Sequence, residues 1–108
     1  MSKTLSRVQT LVAEGDVRIS AHGYDELADD DIYAADALAG IRSASVIEDY
    51  PNSAYGPSVL VLQTDAEGRP IHVVWGIPKG RETPATMITA YRPDPARWSA
   101  DFLKRKKP

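Results

Sequence analysis

The chain has 108 residues, 43% hydrophobic and 26% charged, with a formal net charge of −2. That is the size and composition of one ordinary globular domain, residues 1–108, able to bury about two-thirds of its unfolded surface. Without cysteine it has no disulfide or thiolate-zinc site; without an apolar run near ~18 residues, and with charge throughout its first residues, it is expected to carry neither a membrane span nor a signal peptide and to be cytoplasmic.

In chain order, "SKTLSRVQTLVAEGD" places Leu5, Val8, Leu11 and Val12 at helical spacing, with Ser2 as cap and Gly15 as stop. "VRIS" reads as a short extended link. "SAHGYDELADDDIYAADALAGI" reads as one or two helices, with Ser20 as N-cap. The Asp29–Asp31 cluster suits a break, with Asp30 or Asp31 capping a second helix that carries Ala34, Ala35, Ala37 and Leu38 and ends at Gly40.

After residue 44 the period changes from helical to extended. Strands are expected near 45–50, 58–64, 70–78 and 85–92, separated by Pro51-Asn52, "DAEG" and "KGRETP". "DPARWSADFLKRKK" opens with Asp and Pro, the chemistry of a helix start, so a C-terminal helix is expected from about residue 95. Trp98 and Phe102, four apart, would dock through one face of it, and the cations at 104–107 suit its C-terminus. Helices first and strands afterwards give an α+β fold with a four-stranded antiparallel meander and a closing C-terminal helix.

Charge divides along the chain. Residues 14–49 hold ten acidic side chains against Arg18 and Arg42; from residue 50 onward nine basic side chains meet five acidic ones. The basic half meets phosphate, or the two halves attract one another, or the charges are simply solvated faces; the acidic segment 25–31 and the basic tail 104–107 are complementary, which admits a homodimer.

"GRPIHVVWGIPKG" places a histidine inside an apolar strand. Burying such a ring without a partner costs roughly 1–3 kcal/mol, so His72 faces water, has a partner, or does chemistry. Alternation puts Ile71, Val73, Trp75 and Ile77 on one face and His72 on the other, the partly open one. If Ile88 and Ala90 on the last strand face the core, Thr89 and Tyr91 stand beside His72. A histidine bonded to neighbouring hydroxyls and otherwise inert fits the same residues. His22, the other histidine, sits at i, i+4 from Glu26 on a helix; the two form a surface ion pair, a base with its orienting carboxylate, or two ligands of a metal lacking a third. With two histidines and no cysteine, no metal and no cofactor are expected.

Together, "ISAHGYDEL", "VIEDYP", "PSVLVLQ", "GRPIHVVWGIPKG" and "ITAYRPDPARW" resemble the bacterial domain-of-unknown-function family 4258, over about residues 18–98. The family's usual helix pattern is S-x-H-x-x-x-R; here Glu26 stands at the arginine position, as in a HGYDEL-type branch. The family's layout resembles that of the RelE and BrnT toxins and the barnase-like nucleases, with helices followed by an antiparallel sheet whose exposed face holds the site. The resemblance carries over to His22, His72, Thr89 and Tyr91, and Glu26 weakens it, since a carboxylate repels phosphate.

Two functions follow. One is a metal-independent toxin-type endoribonuclease, with His22 and His72 as base and acid, Arg92 or Lys79 stabilising the phosphorane, Tyr91 positioning phosphate or stacking on a base, and a small antitoxin-like protein as partner. The other is a non-catalytic binding or regulatory module of the same fold, which the acidic balance and Glu26 suit. A metal enzyme built on His22, Glu26 and His72 is a third reading, with less to carry it.

Overall fold

A computed structural model describes residues 2–107. Three helices, α1 (Lys3–Ala13), α2 (Ala21–Asp29) and α3 (Ala34–Gly40), pack on one face of a five-stranded sheet. Its strands are β1 (Val17–Ile19), β2 (Ser45–Tyr50), β3 (Ser58–Thr64), β4 (Pro70–Gly76) and β5 (Ala85–Tyr91), in the spatial order β1-β5-β4-β3-β2. The fold is α+β, but the sheet is mixed and has five strands where a four-stranded antiparallel meander was expected. The "VRIS" link supplies the fifth: β1 pairs in parallel with β5, Val17 opposite Ala85 and Ile19 opposite Met87. Three residues are too few for an alternation signal to separate strand from link.

The helices form where capping and apolar spacing agree. Ser2 accepts a hydrogen bond from the Leu5 N–H at 3.0 Å, and α1 buries Leu5, Val8 and Leu11. Full burial of such side chains contributes roughly 1.5–3 kcal/mol each. Gly15, at φ +79°, takes the left-handed position that stops α1. Ser20 caps α2 through the Gly23 N–H, while its hydroxyl donates to the Ile88 carbonyl and its N–H to that of Met87. This grip sets α2 against β5 so closely that a Cβ on Gly23 would lie 3.0 Å from the Met87 carbonyl oxygen. Neither Asp30 nor Asp31 caps α3: Tyr33 is its N-cap residue, without a side-chain bond. Asp30 instead accepts the Arg92 backbone N–H at 2.7 Å, fastening the end of β5 to the end of α2.

Val59, Val61, Ile71, Val73, Trp75, Met87 and Ala90 fill the helix-facing side of the sheet. Within it, Gln63 accepts from the Trp75 indole N–H at 2.8 Å and donates to the Ala37 carbonyl at 2.7 Å, so the buried amide has partners on both sides. A β-bulge shifts the phase of β5. Val74 pairs with Thr89 but Trp75 with Met87, leaving Ile88 as the extra residue. Met87 and Ala90 therefore both face the core, and Ile88 does not join Ala90 there as simple alternation required.

The C-terminal segment does not form a helix. Asp94 starts one turn, its carbonyl accepting from the Arg97 and Trp98 N–H groups, and the chain then reverses. Asp101 accepts from the Ser99 hydroxyl and the Leu103 N–H, and Phe102 takes φ +61°. Trp98 and Arg105 then form an antiparallel bridge. An isolated helix of the expected length falls within the ~12–15 residues at which helices are marginal in water, whereas burying a tryptophan stabilises by roughly 2 kcal/mol. Tertiary burial wins: Trp98 is buried, Phe102 only half-buried.

Candidate functional site

The outer face of the sheet, away from the helices, is read from the strand register. One cross-strand row runs Ser45, Leu62, His72, Tyr91, and the next runs Glu48, Leu60, Val74, Thr89. His72 and Tyr91 are thus direct neighbours, as expected, and Thr89 lies one row further along the same face.

That face is not open at His72. The C-terminal hairpin crosses it, and His72 has 0% of its surface exposed. Its Nε2 is 2.9 Å from the Phe102 carbonyl oxygen and its Nδ1 is 3.1 Å from the Tyr91 hydroxyl. A carbonyl only accepts, so the neutral ring carries its proton on Nε2 and donates it to Phe102, while Nδ1 accepts from Tyr91. The Trp98 ring meets the imidazole edge-on at 4.4 Å between centroids, and the Arg105 guanidinium lies 4.9 Å from the centre of Trp98. Arg105 also pairs with Glu48 on β2, so the hairpin spans the face from β4 to β2. Burial pushes the His72 pKa below its ordinary value, partly offset by the Phe102 carbonyl. Burial also raises that of Tyr91, which keeps the phenol protonated as the donor to Nδ1.

The remaining expected site residues are dispersed. His22, in the first turn of α2, has a side chain 64% exposed and lies 3.4 Å from Glu26; the hydrogen-bond and ring partners of His72 are instead Tyr91, Phe102 and Trp98. Lys79 is exposed in the loop beyond the far end of β4 from His72. Arg92 is committed to structure: its guanidinium is 2.9 Å from Asp65 and 3.4 Å from the Pro70 carbonyl. Burial would raise the Asp65 carboxyl, but hydrogen bonds from the Arg69 N–H, the Arg92 guanidinium and the Glu67 N–H outweigh it and hold the pKa below the ordinary carboxylate value. Among the described residues no group of three or more His, Cys, Asp or Glu side chains is placed to hold a metal ion, and no helix is long and apolar enough to cross a membrane.

Beside the covered histidine lies a groove of about 800 Å³, lined by Tyr91, Arg92, Asp94, Ala96, Arg97, Trp98, Arg105, Lys106 and Lys107. Asp94 is its single acidic residue. Arg92 and Arg105 are paired with carboxylates, whereas Arg97 and Lys106 form no ion pair among the described residues. The run of cations at 104–107 was visible in the sequence, but the joining of Arg105, Lys106 and Lys107 with Arg92 and Arg97 in one groove depends on the chain reversal at Phe102, which has no local signature.

Fold and site define a small two-layer α+β protein with a covered histidine on the outer sheet face and a basic groove beside it. The profile of the family described as Domain of unknown function (DUF4258) matches residues 19–92, more than half of the chain, and the chain belongs to that family. No curated protein matches the chain, and no solved structure matches it.

Proposed function

We propose that the chain is a non-catalytic binding module of its family, and that its ligand is single-stranded RNA held in the basic groove. One observation carries the non-catalytic reading: both ring nitrogens of His72 are engaged, and the ring is sealed from solvent. An acid or base must reach the proton it transfers, at about 2.6–3.2 Å or through one water. The groove supplies what binding needs: Arg97 and Lys106, in no ion pair among the described residues, to meet phosphate, and the half-buried Tyr91 ring at its wall for a base.

The metal-independent toxin-type ribonuclease, on a RelE- or barnase-like plan, is the second reading. The solvent-exposed His22 beside Glu26 favours it, being placed as an oriented base would be. On that reading His72, Thr89, Tyr91, Lys79 and Arg92 complete the chemistry, and a small antitoxin-like protein restrains it.

End-labelled single-stranded RNA incubated with the full chain separates the two. The binding module retards the RNA on a gel and leaves its length unchanged, with or without EDTA. Arg97→Glu with Lys106→Glu weakens binding by roughly tenfold or more, about 1.4 kcal/mol. RNA shortened by the wild-type chain but not by His22→Gln or His72→Gln overturns the proposal in favour of the ribonuclease.

A further inference from the structure

The sheet face beneath the C-terminal hairpin is built by one part of the chain and covered by another. His72 and Tyr91, like Glu48 and the β3 leucines Leu60 and Leu62, lie inside the segment that matches the family, residues 19–92. Trp98, Phe102 and Arg105 lie beyond it. The cover does not extend the sheet. Its backbone bonds are internal, Ser99 N–H to Lys104 and Lys106 N–H to Arg97, each at 2.8 Å, and its bridge joins Trp98 to Arg105. Among the described residues its polar and ring contacts with the face include the Trp98 ring against the imidazole, the Phe102 carbonyl accepting from His72 Nε2, and the Arg105 guanidinium on Glu48. Pro93 and Pro95 separate it from β5. A hairpin whose backbone bonds are internal, seated on a sheet face through a ring, a carbonyl and a cation, is how a bound peptide sits on a domain.

From this we infer that the face formed by Glu48, Leu60, Leu62, His72 and Tyr91 is a peptide-docking surface, occupied here by the chain's own tail. The partner it fits is a segment of another protein that presents an aromatic ring, a backbone carbonyl and a cation in the arrangement of Trp98, Phe102 and Arg105. The chemistry of the face sets that preference. The imidazole N–H needs an acceptor, Glu48 needs a cation, and the apolar rows between them need a ring to exclude water. Such a partner competes with the tail, so the intact chain binds it weakly and a chain whose tail has lost an anchor binds it well. Because the displaced tail also carries Arg97 and Lys106 of the neighbouring groove, a docked partner and RNA in that groove exclude one another.

A fluorescently labelled synthetic peptide with the sequence of residues 93–107 tests it against the full-length chain by anisotropy. Trp98→Ala, with its own tail disabled, is expected to bind the peptide at least tenfold more tightly than the wild-type chain does. The same peptide with alanine in place of its tryptophan is expected not to bind. Should Trp98→Ala fail to fold, Arg105→Glu keeps the ring and breaks only the anchor on Glu48, and the same order of affinities is expected. Peptide that ignores the disabled chain, or binds wild type and variant equally, overturns the inference.

Discussion

His72 shows how little a residue type says before its neighbours are known. As an isolated letter in an apolar strand it admitted a site or a structural post. The covering hairpin supplies the Phe102 carbonyl and the Trp98 ring, which favour the post. Replacement by glutamine recovers at most part of this bonding, so His72→Gln is expected to lower stability by roughly 1–3 kcal/mol, the cost of leaving a buried polar group unpaired, in urea denaturation. The buried imidazole also makes stability depend on pH. Its folded pKa lies below the ordinary 6.5, so below that value the unfolded chain binds the proton more readily than the folded one. Stability from this group is complete above pH 6.5 and is lost as pH falls from there toward the folded pKa. Thermal melts across that range should show a declining Tm for wild type and a flatter course for His72→Gln. An unchanged urea midpoint for His72→Gln would leave the histidine free for chemistry.

Among the elements, those marked by local chemistry were legible. Ser2 and Ser20 cap helices as read, and the four long strands start where the apolar alternation does. What was not legible depends on partners distant in sequence. β1 becomes a strand because β5 accepts it as an edge, and β5 changes phase at Ile88, the bulge residue whose carbonyl holds α2 through Ser20. Residues 94–98 carry a good helix start that Trp98 overrides by docking on His72. Thr89 and Tyr91 share the outer face with His72 as alternation predicts, but through the bulge at Ile88 and not through Ile88 facing the core. Gly23 separates local from tertiary preference most clearly. Alanine favours an isolated helix by about 1 kcal/mol over glycine, yet here its Cβ would press on the Met87 carbonyl and the Ile19 side chain, at 3.0 and 3.2 Å. Gly23→Ala is therefore expected to destabilise by about 1–2 kcal/mol in chemical denaturation; a gain in stability would mean that α2 stands further from β5 than described.

At the scale of the whole molecule, the sequence's charge division becomes a spatial one. Asp25, Asp29 and Asp31 are exposed around α2, with Tyr24 and Tyr33 among them, while Arg97, Lys104, Lys106 and Lys107 are exposed on the C-terminal hairpin. Between two copies these surfaces are complementary, and any homodimer made this way should dissociate as salt rises, because exposed charges are screened within about 8 Å at physiological ionic strength. Sedimentation at low and high salt reads this directly; a mass that stays monomeric throughout rules such a dimer out. In the proposed binding module the ligand lies in the basic groove while His72 stays sealed beside it. Following the His72 ring nitrogens by NMR, from pH 5.5 to 8 and with and without saturating single-stranded RNA, tests that claim most directly. The prediction is a neutral ring with its proton on Nε2 at neutral pH, and the same tautomer and titration when RNA is bound. A ring that loses the Phe102 bond on adding RNA, or that gains a new titration there, would mean that the face opens onto the ligand and that the histidine takes part in chemistry.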